Sequence, residues 1–105
     1  MDNLDSILNE CSERLKAHYG DDLADVILYG SFARGEQDEE SDIDLLVLLK
    51  SDFDRWEEIQ AIVELLTPIQ MKCDRYISAK PALYDDYRNG NIMYLRNARK
   101  EGIGI

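Results

Sequence analysis

The chain has 105 residues, 45% of them hydrophobic, and carries 12 Lys+Arg against 22 Asp+Glu, a net charge of −10. That length fits one domain with one core over residues 1–105, and the acidic balance excludes general attraction to nucleic-acid backbones. No apolar run nears the roughly 18–20 residues of a membrane span, and Cys11, Cys73 and a single histidine make a poor zinc set.

In chain order, the start Met1-Asp2-Asn3-Leu4-Asp5 lacks the basic and apolar regions of a secretion signal, so the expected compartment is the cytoplasm. Leu4, Ile7, Leu8, Cys11, Leu15 and His18 recur at steps of three and four. This predicts an amphipathic helix over 3–18, with Gly20 after its end. Ala24 to Tyr29 is short, apolar and β-branched and reads as a buried strand, ended by Gly30. Residues 31–41 form a polar connector with Gly35 and an acidic run from Glu36 to Glu40.

Asp42-Ile43-Asp44-Leu45-Leu46-Val47-Leu48-Leu49 is the clearest strand. Both faces are apolar after Asp44, as in a central strand covered on both sides. Ser51 or Asp52 can cap a helix over 54–67, where Trp56, Ile59, Ile62, Val63 and Leu66 share a face and Pro68 is the expected stop. Met71 to Ile77 reads as a third strand, at an edge. Ser78 and Pro81 introduce a last helical region, interrupted near Asn89-Gly90. From Lys72 onward Lys72, Arg75, Lys80, Arg88, Arg96, Arg99 and Lys100 face only Asp74, Asp85, Asp86 and Glu101, so the C-terminal third is mildly basic. Tyr84, Tyr87 and Tyr94 fall there and could form core edges or a partner surface. The expected fold is α/β: an α+β two-layer sandwich with a small mixed sheet of about three strands and flanking helices.

Two positions apart on a strand, Asp42 and Asp44 project on the same side. Adjacent carboxylates repel unless a cation sits between them, and a hard divalent ion such as Mg²⁺ takes oxygen ligands and keeps positions for phosphate. Gly30 allows close backbone approach, and Ser31 with nearby amides could hold an anionic phosphate. Spacing alone also fits a solvated strand start; joined to Gly30-Ser31 it describes a site for a metal-bound triphosphate. Asp74, within the expected third strand, is the natural third carboxylate for a second metal, although Lys72 or Arg75 could simply pair with it.

Gly30-Ser31, ten intervening residues and Asp42-Ile43-Asp44, within the wider strings Gly30-Ser31-Phe32-Ala33-Arg34-Gly35 and Ser41-Asp42-Ile43-Asp44-Leu45-Leu46-Val47, resemble the signature of the DNA polymerase β-type nucleotidyltransferases. The resemblance is to the minimal nucleotidyltransferases in particular, often antitoxin partners of small helical HEPN-domain ribonucleases. It implies one minimal nucleotidyltransferase domain. Gly30 and Ser31 match the triphosphate-binding pair, with Arg34 a frequent basic companion. Asp42 and Asp44 match the metal-binding pair, and Asp74 the third acid by order. Residues 94–105 follow no pattern that aligns.

The implied activity is transfer of AMP from ATP, with two Mg²⁺ ions, to a hydroxyl of a separate macromolecule. The resemblance suggests a tyrosine of a HEPN toxin, with the chain as its antitoxin. The acidic charge supports a second expectation, a non-catalytic antitoxin that neutralises a basic toxin by covering it. Transfer to a small molecule such as an aminoglycoside fits less well, because such enzymes generally carry a further domain.

Overall fold

A computed structural model describes residues 4–30, 35, 41–90 and 92–105. Helix α1 (Leu4–Tyr19) leads through a single 3-10 turn into β1 (Leu23–Tyr29). Then come β2 (Ile43–Leu49), α2 (Arg55–Gln70), β3 (Ile77–Leu83), α3 (Tyr84–Asn89), α4 (Met93–Glu101) and β4 (Ile103–Gly104). The sheet order is β3-β2-β1-β4; β2 runs antiparallel to β1 and parallel to β3, and β4 runs antiparallel to β1. The expected small mixed sheet is present, widened by the two-residue β4.

The pleat divides β2 between two apolar clusters. Ile43, Leu45, Val47 and Leu49 join Ile7, Leu8, Cys11 and Leu15 of α1 and Ile62, Leu66 and Ile69 of α2. On the other face Leu46 and Leu48 meet Ile27, Ala82, and Leu95 and Ala98 of α4. A seven-residue strand apolar on both sides cannot lie at a surface, so β2 becomes central and sets the register of its neighbours. At the far end Tyr19 of α1 donates a hydrogen bond to Glu58 of α2 at 2.5 Å. Burial, and secondarily this carboxylate, push the Tyr19 phenol up.

Three boundaries differ from expectation. Asp54, rather than Ser51 or Asp52, caps α2; its carboxylate accepts from the Glu57 amide at 2.9 Å. The helix also runs through Pro68 to Gln70, because Leu66 and buried Ile69 anchor its last turn in the core. The third strand is Ile77–Leu83, not 71–77, and no helix starts at Ser78 or Pro81. Gln70 explains the shift: its side chain donates to the Arg75 carbonyl at 2.8 Å and accepts from the Ile77 amide at 2.7 Å. That clamp folds residues 71–76 into a turn, and Pro81 is tolerated because β3 is an edge strand. The break at Asn89-Gly90 is where expected, with Gly90 closing α3 in the left-handed region.

Leu45 is fully buried, so Leu45→Ala is expected to destabilise the fold by about 2–5 kcal/mol, read from urea denaturation. Cys11 is also fully buried and unpaired. Burial, then the nearby Cys73 and Glu10, push its thiol from 9.0 to about 12. The folded state thus favours the neutral thiol. Its contribution is intact below pH 9.0 and is lost as pH climbs toward 12. At neutral pH a thiol reagent should modify half-buried Cys73 first and Cys11 only upon unfolding; above pH 9.0 stability should fall less steeply in Cys11→Ala than in the wild type.

Candidate active site

Asp42 lies exposed immediately ahead of β2, and Asp44 is the strand's second residue, half-buried. Both belong to the face that continues as Leu46 and Leu48, but α4 covers only those leucines. The apolar cover therefore ends where the carboxylates begin. Asp44 stands opposite Tyr29 on β1 and opposite Ser78 on β3.

The start of β2 is pinned from outside. The Ile43 amide donates to the Tyr76 carbonyl at 2.9 Å, and Arg75 Nη1 donates to the Ser41 carbonyl at 3.1 Å. Arg75 thus braces the backbone just before Asp42 while its own carbonyl is held by Gln70. From sequence Arg75 was legible only as a possible partner of Asp74; the bracing depends on the turn that Gln70 creates. Ser78, read from sequence as a helix signal, instead faces Asp44; only the β3 register reveals this.

Gly30 closes the other side. Its φ is +75°, and a Cβ placed there would stand 2.6 Å from Asp44 Oδ2. Only glycine lets the end of β1 approach this carboxylate so closely. Ser31 and Arg34 lie outside the described residues, as does the acidic run 36–40. Asp74 is exposed, in the turn ahead of β3 rather than within a strand. Among the described residues no three His, Cys, Asp or Glu side chains gather closely enough to hold a metal ion. The turn that carries Asp74 adjoins the start of β2 through the Arg75–Ser41 and Ile43–Tyr76 hydrogen bonds.

Two carboxylates on one face, reached by a glycine, suit one hard divalent ion that shares its remaining positions with phosphate. A groove of about 260 Å³ between α2 and β3, lined by Ile59, Val63, Leu66 and Tyr76 among others, does not include the aspartates. Tyr84 and Tyr87 pack against the cluster under α4, as core edges. No helix among the described residues is long and apolar enough to cross a membrane.

Gly30→Ala is expected to cost roughly 1–2 kcal/mol from its left-handed backbone, plus displacement of the Asp44 carboxylate. Urea denaturation reads the first effect and Mg²⁺-dependent nucleotide binding the second; a variant equal to wild type in both would contradict the close approach described here.

The chain is similar to known proteins in sequence and in fold. A nucleotidyltransferase domain model matches residues 4–96. Two proteins of Methanocaldococcus jannaschii, both named "Putative protein adenylyltransferase", are related over most of the chain. One is 35% identical over 101 residues, 95% of each chain, and the other 38% identical over 78 residues, 74% of this chain and 76% of that protein. A third relative from that organism is 50% identical over 48 residues, and there the match spans only 33% of the relative's length. Among solved structures, a spectinomycin adenyltransferase from Enterococcus faecialis with ATP and spectinomycin superposes with a TM-score of 0.66 at 20% identity, over 80% of this chain and 36% of that one. A toxin-antitoxin with AMP-PNP gives 0.57 at 24% identity, over 91% of this chain and 71% of that one. These structural likenesses speak for the fold alone. The domain match over most of the chain, together with a relative 35% identical along nearly all of it, shows that the chain belongs to the nucleotidyltransferase domain family and that nucleotidyl transfer is its chemistry.

Proposed function

We propose that the protein transfers AMP from ATP to a hydroxyl, preferably a tyrosine, of a HEPN-type toxin and acts in the cytoplasm as that toxin's antitoxin. The observation that carries the reading is the close approach of Gly30 to Asp44, with Asp42 on the same uncovered face at the end of β1. The adenylyltransferase names of the relatives support AMP as the transferred group, and the toxin-antitoxin neighbours support the kind of partner.

In this reading Gly30 lets the chain pass close to the nucleotide, while Ser31, nearby amides and Arg34 bind its β- and γ-phosphates. Asp42 and Asp44 would hold Mg²⁺, which when bound supplies charge neutralisation to the phosphates. Arg75 keeps the start of β2 in place through the Ser41 carbonyl. Asp74, exposed in the turn that Arg75 ties to the Ser41 carbonyl, is the third carboxylate of the expected two-metal set in this reading. In this reading the acceptor hydroxyl comes from the partner, in keeping with the toxin-antitoxin neighbours.

The net charge of −10 supports a second reading, in which binding alone neutralises a basic toxin. Mass spectrometry of a co-expressed partner separates the two. The first reading expects the added mass of AMP on the partner with wild type, and a loss of about 10²-fold or more with Asp42→Ala plus Asp44→Ala. Equal labelling by both proteins would sink it, whereas full neutralisation of the toxin in cells by the double variant would establish binding as sufficient.

A further inference from the structure

Strand β3 forms the flank of the site opposite to Gly30; its positions alternate between two faces, and at this sheet edge Ser78 and Lys80 also border the groove against α2. Ile77 and Ala79 pack into the cluster under α1 and α2, while Ala82 joins the cluster under α4. Ser78 and Lys80 therefore have their Cβ atoms on the Asp44 face. The parallel register sets Ser78 beside Asp44 and Lys80 beside Leu46, one pleat further along. Strands lie roughly 5 Å apart and two residues span roughly 7 Å, so the Lys80 and Asp44 Cα atoms stand about 8 Å apart, a distance a four-carbon stem can bridge. Lys80 is exposed and makes no ion pair or side-chain hydrogen bond among the described residues.

We propose that Lys80 is a substrate-binding residue that contacts the α-phosphate of the nucleotide from the β3 flank. This rests on the nucleotidyl-transfer reading above. With that reading's β- and γ-phosphates toward Gly30 at the end of β1 and the aspartates at the start of β2, the order β1-β2-β3 leaves the α-phosphate toward β3. Two carboxylates and an α-phosphate on one face carry the same sign, in a chain of net charge −10. Lys80 is the cation that the fold presents on that face of β3. During transfer the acceptor oxygen attacks the α-phosphorus, and its bond forms as the bond from that phosphorus to the bridging oxygen breaks. Pyrophosphate leaves with the bonding pair, and the hydroxyl proton passes to water. An ammonium beside the non-bridging α-oxygens stabilises the charge they carry throughout.

A lysine on an edge strand also discourages pairing with other chains, but that role makes no demand on nucleotides. Calorimetric titration of the full chain with Mg²⁺ and, separately, ATP, AMP and pyrophosphate distinguishes the two. Lys80→Ala should weaken ATP and AMP on the order of tenfold and leave pyrophosphate unchanged, and Lys80→Arg should recover most of the loss. If Lys80→Ala fails to fold by circular dichroism, Lys80→Gln carries the same comparison. Unchanged affinity for ATP and AMP in the neutral variant overturns the proposal while leaving the aspartate site standing. A wild type that does not bind Mg-ATP, or an Asp42→Ala plus Asp44→Ala variant that binds it equally well, overturns the nucleotidyl-transfer site and Lys80's role together.

Discussion

Strand β2 is removed from water on both faces from Leu45 to Leu49, and almost everything else in the fold follows from that burial. A strand in this condition needs a hydrogen-bonded neighbour on each edge and a layer of helix above and below. Strands β1 and β3 supply the edges; α1 and α2 cover one face and α4 the other. A slip of one residue would turn Asp44 into the core and expose a leucine, so the register is strongly held. The register in turn puts Asp44 against Gly30. The site is therefore a consequence of how the core closes, and its polar end is where the apolar cover stops.

The same constraint divides the labour among the strands. The start of the central strand carries Asp42 and Asp44 where the apolar cover of α4 ends. The two flanking strands approach it from either side with different equipment. β1 contributes a glycine whose missing Cβ makes room, and β3 contributes Ser78 and Lys80 on the same face. The turn before β3 is structural, since Gln70 clamps it and Arg75 uses it to hold the Ser41 carbonyl. Stability and site geometry share these bonds, so loosening the turn should disturb the aspartates without touching them.

The helices α1 and α2, the strands β1 and β2 and the pair Asp42-Asp44 were legible in the residues, because each rests on local periodicity or on burial of a continuous apolar run. The third strand was not. Met71 to Ile77 has adequate strand composition, and Ser78 with Pro81 imitates a helix start. What overrides both is the Gln70 side chain reaching the backbone of Arg75 and Ile77. The helix runs past Pro68 for a related reason, since propensity near a terminus yields to the burial of Ile69. Strand β4 leaves no signature in the sequence because two residues carry no period.

The sequence by itself determined the family signature, the central strand and the two carboxylates that share its face, since these depend on residue type and on spacing of two along an extended chain. Tertiary structure alone decided which groups surround them. It brought Gly30 so near Asp44 that a Cβ there would stand 2.6 Å from Oδ2, put Ser78 in the cross-strand position, and placed Asp74 in the turn ahead of β3 rather than within a strand. The physical reason is that side-chain direction along one strand is a local property, whereas the register between strands is fixed by the whole core and by the two hydrogen bonds of the Gln70 side chain.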